Sequence, residues 1–120
     1  MIELNWTYRA KPVRVVDGDT IILLIDNGFY NREEHSIRLL GVDTPEIFSG
    51  PADERVRGQE AKSKTALWIA EAVENGPEWP LLIQTEKDKQ TFGRFIAEVW
   101  SVASKLSLNA YLKQQGYGAT

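Results

Sequence analysis

The sequence predicts a mainly β fold with helices, an α+β domain whose five strands form a barrel in the order β-β-β-α-β-β-α. Three observations support this: short apolar runs rich in β-branched residues flank one long amphipathic stretch, turn residues separate the runs, and no linker or repeat divides the chain. A chain of 120 residues is long enough for one core and too short for two. We therefore expect a single domain over residues 1–120, with its core between about residues 8 and 116.

Three strands are predicted in the first part of the chain. Tyr8–Val16 is the first, and Asp17-Gly18-Asp19 is a strong turn signal that ends it. Thr20–Ile25 is too short for a helix and is predicted to be a buried strand. A polar loop is expected up to about Glu34, and Ser36–Val42 is the third strand.

One firm helix and a short closing helix are predicted in the second part. The Gln59–Glu74 helix follows an irregular loop that Pro45 begins, and Leu81–Thr85 and Phe92–Trp100 are the remaining strands. Leu106–Gln114 is the closing helix. Four side chains of the longer helix are expected to be buried against the strands: Trp68, Ile69, Ala72 and Val73. Three meandering strands, a helix and two more strands is the order of the OB-fold barrel.

The composition excludes several classes of site. No cysteine is present, which excludes a disulfide-linked partner, a thiol nucleophile and a Cys-ligated zinc site, and the single His35 excludes a site with two imidazoles. No run approaches the ~20 apolar residues of a membrane helix, and the first residues lack a signal-peptide pattern, so we expect a cytoplasmic protein without a membrane partner. The formal net charge of −3 argues mildly against a general polyanion binder.

Two carboxylates are expected to meet at one end of the sheet. If the second and third strands are antiparallel, Asp19 at the start of one lies beside Asp43 at the end of the other. Thr44 and Glu46 follow on a loop, where functional groups are often displayed. Carboxylate, hydroxyl and carbonyl oxygens suit a hard cation such as Ca²⁺ or Mg²⁺. Taken alone, each string is also compatible with an ordinary turn.

Arg38 is unusual because its guanidinium belongs to an apolar strand. A buried arginine without a partner is costly, so we expect it to face a carboxylate or an anionic ligand. Arg94 similarly opens an apolar strand beside Gly93. Arg38 lies about 16 Å from Asp43 along a fully extended strand, so both approach one phosphate only if the chain curls sharply.

Three strings closely resemble the staphylococcal nuclease (thermonuclease-like) family. They are Val16–Thr20 (VDGDT), Ile37–Glu46 (IRLLGVDTPE) and Phe92–Arg94 (FGR), in the same order and with a helix between the last two. The Asn109–Gly116 segment is similar to the family's second helix, so that the resemblance runs from about residue 13 to 116. It implies an OB-fold barrel and Ca²⁺-dependent hydrolysis of DNA and RNA phosphodiesters.

The resemblance also implies roles for the acidic residues. Asp19 and Asp43 correspond to the calcium carboxylates, and the backbone carbonyl of Thr44 to a further ligand. Glu46 corresponds to the general base that acts on the attacking water. A positioned carboxylate base contributes about 10²–10⁴-fold to such a reaction.

Two arginines and two substrate-contact positions complete the implied site. Arg38 and Arg94 correspond to residues that bind the phosphate, and a planar guanidinium can hold two phosphate oxygens at once. Thr91 and Phe92 stand where the family carries a lysine and a tyrosine associated with substrate contact.

The sequence leaves three hypotheses open. The leading one is a Ca²⁺-dependent nuclease, and the complete set of charged residues at the family's spacings favours it. The second is an inactive or weak OB-fold module that binds single-stranded nucleic acid or a protein. The third is a structural or interaction protein, which the acidic balance favours. The oligomeric state cannot be predicted from these residues.

Overall fold

A computed structural model gives a five-stranded barrel with two helices. It describes residues 6–91 and 94–119, and for residues 86–91 the backbone alone. The strands are β1 (Thr7–Asp17), β2 (Thr20–Gly28), β3 (Asn31–Leu39), β4 (Leu81–Thr91) and β5 (Arg94–Ser101); the helices are α1 (Ala52–Glu74) and α2 (Leu108–Leu112), and a π-helical turn follows at Lys113–Tyr117. The expected order β-β-β-α-β-β-α is confirmed.

The barrel closes through the strand order β1-β2-β3-β5-β4, with β4 pairing back onto β1. All neighbouring strands are antiparallel except β3 and β5, which run parallel. This closed, mixed barrel with a helix between β3 and β4 matches the OB-fold that the element order predicts.

The hairpin between β2 and β3 is longer than the sequence predicted. A polar loop was expected up to about Glu34, but β3 begins at Asn31, and the turn consists of Phe29 and Tyr30 with φ angles of 55° and 62°. Such left-handed turns match the natural twist of a hairpin and allow both strands to continue to its tip. The prediction was wrong because neither turn residue is the glycine or asparagine that usually marks this geometry.

The third strand ends earlier than predicted. The sequence placed its end at Val42, whereas β3 stops at Leu39 and Gly41 adopts a φ of 73°. This left-handed residue turns the chain, and Val42 then forms an isolated antiparallel bridge with Gly118. The turn directs the following loop back toward the end of β3.

Helix α1 begins seven residues earlier than the predicted start at Gln59. Pro51 precedes the first residue, Ala52, and Asp53 and Glu54 in the first turn interact favourably with the helix dipole. The predicted irregular loop therefore ends at Pro51, and the additional turns of helix lie beside the loop that contains Glu46. The predicted fourth strand is also extended, to Thr91.

The buried stripe of α1 is narrow and composed largely of small residues: Gly58, Ala61, Thr65, Ile69 and Ala72. Trp68 is half-buried and packs against the core rather than within it. Val73 is 48% exposed, which contradicts the prediction that it is buried. The last turn of α1 faces the barrel through Ala72, and the next residue is rotated by about 100° around the helix.

Helix α2 is tied to the barrel by Asn109, which is fully buried. Its Oδ1 accepts the backbone N–H of Val99 at 2.9 Å, and its Nδ2 donates to the carbonyl oxygens of Leu40 at 2.9 Å and Ala97 at 3.1 Å. The helix is shorter than the predicted Leu106–Gln114 because Ser107 caps its start and the chain widens into the π-helical turn after Leu112. No helix in the described part of the chain is long and apolar enough to cross a membrane.

Candidate active site

The turn between β1 and β2 is clamped against α1. A Cβ on Gly18 would lie 2.9 Å from both the Ala61 Cβ and the Thr44 Cγ2, so only glycine allows this close approach. The Thr65 hydroxyl donates to the Gly18 carbonyl oxygen at 2.7 Å. The position of Asp19, the next residue, is therefore fixed by the helix as well as by the sheet.

Arg38 contacts both predicted calcium carboxylates. Its guanidinium lies 3.3 Å from an Asp19 carboxylate oxygen and 3.5 Å from an Asp43 carboxylate oxygen. Asp19 is buried, whereas the Asp43 side chain is 71% exposed. The structure thus brings Asp19 and Asp43 to the same guanidinium, and it gives Arg38 the carboxylate partners that its apolar strand required.

The turn at Gly41 brings Arg38 close to Asp43. The residues do not lie along one extended strand, because the chain reverses after Leu39. Arg38 Nη1 consequently donates to the carbonyl oxygen of Val42. Because Gly41 is left-handed and turns the chain, Arg38 and Asp43 are not held apart by the separation of about 16 Å that an extended strand would impose.

Arg94 is connected to the same carboxylate through Thr20. Its Nη1 donates to the Thr20 hydroxyl at 3.1 Å, and that hydroxyl donates to Asp19 Oδ1 at 3.1 Å. Thr20 lies opposite Arg38 in the β2–β3 register. The two arginines therefore approach Asp19 from different strands.

Asp17 adds a further carboxylate to this end of the barrel. Burial raises the pKa of its carboxyl group, and the negative charge of Asp19 raises that pKa further, while Lys62, Arg94 and Arg38 offset part of the rise. Such opposed effects are expected where acidic and basic groups are crowded together. The sequence alone predicts Asp17 only as part of the turn that ends the first strand.

Thr44 contacts the site through its backbone. Its backbone N–H donates to Asp19 Oδ2 at 3.1 Å. Its Oγ1 is buried and finds no hydrogen-bond partner among the described residues. Buried polar atoms are normally satisfied, so this hydroxyl oxygen is an unsatisfied acceptor in the residue that follows Asp43.

Glu46 is exposed on the loop after Thr44, and α1 supports that loop. A Cβ on Gly58 would lie 2.7 Å from the carbonyl oxygens of both Pro45 and Glu46, so the helix and the loop backbone are in direct contact there. Gly58 is thus a supporting residue that the sequence analysis missed. A glycine inside an amphipathic helix signals such a contact, because it otherwise costs helix stability.

The predicted substrate contacts are only partly described. Thr91 is the last residue of β4 and pairs with Arg94 in the register, but its side chain is not described, and Phe92 lies outside the described residues. Within the described part of the chain, no three histidine, cysteine, aspartate or glutamate side chains are grouped so as to hold a metal ion. A cation bound by Asp19 and Asp43 would therefore also need oxygen ligands other than side-chain carboxylates, such as backbone carbonyl oxygens.

Among known proteins, the chain is similar in sequence to a thermonuclease. The chain is 31% identical over 109 residues to a thermonuclease of Staphylococcus hyicus, a match that covers 88% of this chain and 55% of that protein. It is also 48% identical over 46 residues to an uncharacterized protein of Methanocaldococcus jannaschii, covering 38% of this chain and 20% of that protein. No protein-family model matches the chain.

The similarity covers most of this chain but only part of its relatives. The chain spans about half the length of the thermonuclease and a fifth of the archaeal protein. The chain therefore folds as an OB-type barrel and is similar over most of its own length to a thermonuclease.

Proposed function

We propose that this chain is a nuclease that hydrolyses phosphodiester bonds of DNA or RNA and depends on Ca²⁺. The observation that carries the proposal is the network at one end of the barrel, in which Arg38 bridges Asp19 and Asp43 and Arg94 reaches Asp19 through Thr20. The thermonuclease similarity over most of the chain supports the same reaction.

The donor atoms at this site fit a calcium ion. Asp19, Asp43 and the carbonyl oxygen of Thr44 are the proposed ligands, and all of them supply the oxygen that a hard cation prefers. The Thr44 hydroxyl adds a buried oxygen that has no hydrogen-bond partner among the described residues. A bound divalent cation would supply Lewis-acid stabilisation of the phosphate and its attacking water.

The two arginines neutralise the phosphate. A phosphodiester is anionic, so guanidinium groups that contact its oxygens stabilise the charge that grows in the transition state. Arg38 is held at the site by Asp19 and Asp43 before a substrate arrives. Its two donor edges match two phosphate oxygens, which a lysine could not contact in the same way.

Glu46 is proposed as the general base. Its side chain is exposed, so water can reach it, and its backbone is fixed by contact with Gly58. A carboxylate held in this way can orient a water molecule and accept its proton as the water attacks phosphorus.

The test measures cleavage and metal binding in parallel. Plasmid DNA and a short RNA are incubated with the protein with and without Ca²⁺, and thermal unfolding is followed over the same Ca²⁺ series. We expect cleavage only with Ca²⁺, and a higher melting temperature with the metal because it relieves the repulsion between two nearby carboxylates.

A matched pair of variants assigns both effects to the site. Asp43→Asn should abolish the Ca²⁺-dependent rise in melting temperature and the cleavage, whereas Asp53→Asn, an exposed aspartate in the first turn of α1, should preserve both. Binding of nucleic acid without cleavage at any Ca²⁺ concentration would contradict the proposal and favour a binding module.

A further inference from the structure

A short antiparallel pair joins the loop before Asp43 to residues 117–119, which we call the 117–119 segment. The Asp43 N–H donates to the Tyr117 carbonyl oxygen at 2.8 Å, and the Ala119 N–H donates to the Gly41 carbonyl oxygen at 2.9 Å. These two bonds enclose the isolated bridge that follows the Gly41 turn. The pair lies outside the strands of the barrel, and the proposed reaction assigns no role to it.

The 117–119 segment is itself anchored to the protein. Its tyrosine is half-buried and packs against the hydrophobic core. The Lys113 side chain lies over the left-handed turn, since a Cβ on Gly41 would be 2.9 Å from both its Cε and its Nζ. On α2, Asn109 donates to the Leu40 carbonyl oxygen at 2.9 Å. The loop backbone is therefore held from residue 40 to residue 43 by the part of the chain that follows β5.

This backbone determines the position of both charged partners at the site. The Asp43 side chain is 71% exposed and lies 3.5 Å from Arg38, so little packing fixes its direction. That direction consequently depends on the backbone to which Asp43 belongs. Arg38 donates to the Val42 carbonyl oxygen of the same backbone. The 117–119 segment thus holds the residues on which the Asp43 carboxylate and the Arg38 guanidinium both depend.

We propose that the 117–119 segment positions the calcium ligands of the neighbouring loop, with the Ala119 N–H as the contact that holds the Gly41 turn closed. The inference rests on the proposed function in taking Asp43 and the Thr44 carbonyl oxygen as ligands. A loop that is held in its binding arrangement before the ion arrives loses less conformational entropy on binding. The segment acts through the loop and contacts neither the ion nor the substrate, so Ala119 is a positioning residue.

The pairing is measured first in the metal-free protein. Hydrogen exchange of the Asp43 and Ala119 amides is followed by NMR in EDTA and then with Ca²⁺. We expect both amides to exchange at least about tenfold more slowly than in an unstructured peptide, because both are hydrogen-bonded. Ca²⁺ should slow their exchange further, since a segment that favours metal binding is favoured by the metal in return.

A matched pair of variants then separates this contact from its surroundings. Ala119→Pro removes the N–H that bonds to Gly41. Gly118→Ala is the control, because Gly118 has φ −65° and ψ 138°, which alanine adopts readily, and its Cβ would make an ordinary contact of 3.7 Å with Lys113 Cγ. Both bonds of the pair therefore remain in the control.

Ca²⁺ affinity is measured by calorimetric titration of the unmodified protein and both variants. Groups that orient metal ligands without touching the metal contribute about 10–100-fold to affinity, so we expect a loss of that size in Ala119→Pro and none in Gly118→Ala. The melting temperature in EDTA should be nearly the same in all three proteins, because both positions are exposed. The Asp43 amide should lose its protection in Ala119→Pro.

The outcomes distinguish this proposal from the proposed function. Equal Ca²⁺ affinity in Ala119→Pro and the unmodified protein overturns the positioning role and leaves the proposed function intact. The same holds if the Asp43 amide of the unmodified protein exchanges as fast as in an unstructured peptide. A loss of affinity that is matched by a large fall of the melting temperature in EDTA shows a merely structural role and also overturns the proposal. Absence of Ca²⁺ binding in the unmodified protein overturns both.

Discussion

Replacing Gly58 with alanine tests whether α1 holds the loop that carries Glu46. The added Cβ would lie 2.7 Å from the carbonyl oxygens of Pro45 and Glu46, closer than the 3.0 Å below which real Cβ atoms are essentially never found. Both opposing atoms belong to the backbone, so the loop or the helix has to move. The substitution therefore has two opposite effects on stability, a gain in helix propensity and a loss from overpacking.

The two effects can be compared in magnitude. Alanine is favoured over glycine inside a helix by about 0.8–1.0 kcal/mol, whereas overpacking of a close contact costs about 1–3 kcal/mol. We therefore expect Gly58→Ala to lower the free energy of unfolding by about 0–2 kcal/mol. Displacement of a catalytic group by about 1 Å can reduce a rate by about 10²-fold, so turnover should fall by about 10–100-fold while the protein remains folded.

The assay combines thermal unfolding with single-turnover cleavage of a short DNA at saturating protein and Ca²⁺. Ser63→Ala is the control, since Ser63 is an exposed residue of the same helix and its replacement raises helix propensity without a new contact. If Gly58→Ala instead raises the free energy of unfolding by about 1 kcal/mol and cleaves at the normal rate, the inferred contact between helix and loop is refuted.

Three further predictions concern stability. Asn109→Ala should lower the free energy of unfolding by about 1–3 kcal/mol, because it leaves the buried backbone N–H of Val99 without a partner, and chemical denaturation would detect this directly. The Gly28 N–H and the Arg9 side chain lower the pKa of Asp26, so Asp26→Asn should destabilise the protein at neutral pH. This loss of stability should disappear as the pH falls below about 4, where the carboxylate becomes protonated. An equal difference in melting temperature between the variant and the unmodified protein at pH 7 and at about pH 2.5 would contradict this. Replacing Phe29 and Tyr30 by Asn-Gly should raise the melting temperature, because both residues have positive φ angles and are 96% exposed, and an unchanged or lower value would count against strain at this turn.

The order of elements was predictable because it depends on local sequence, and the meeting of Asp19, Asp43 and Arg38 was predictable because it follows from strand pairing and from the need of a charge in an apolar strand for a partner. The turn at residues 17–19, the β-branched run of β2 and the stripe of α1 all carry strong local signals. The convergence of Asp19 and Asp43 followed from the antiparallel pairing of two strands. Arg38 could be assigned a carboxylate partner because a charge in an apolar strand requires one.

Element boundaries were less predictable because they depend on backbone conformations that the residues only weakly signal. Phe29 and Tyr30 form a left-handed turn without the expected glycine, and Gly41 ends β3 within an apparently continuous apolar run. The close packing of Gly58 against the loop was not predicted because the predicted helix began at Gln59, which left Gly58 outside it. The burial of Val73 was mispredicted because the helix contacts the barrel through a narrower stripe than its apolar residues suggest.

The roles of Arg38 and Arg94 are the central claim, and one measurement tests them most directly. Single-turnover cleavage of a short DNA at saturating protein and Ca²⁺ is compared for the unmodified protein, Arg38→Ala, Arg94→Ala and Arg57→Ala, with folding verified by thermal unfolding. Arg57 is an exposed arginine on α1 whose ion pairs with Asp53 and Glu54 lie outside the site, so it controls for the loss of positive charge. We predict rates lower by about 10²–10³-fold for each of the first two variants and a normal rate for the third; normal rates in folded Arg38→Ala and Arg94→Ala would contradict the proposed nuclease mechanism.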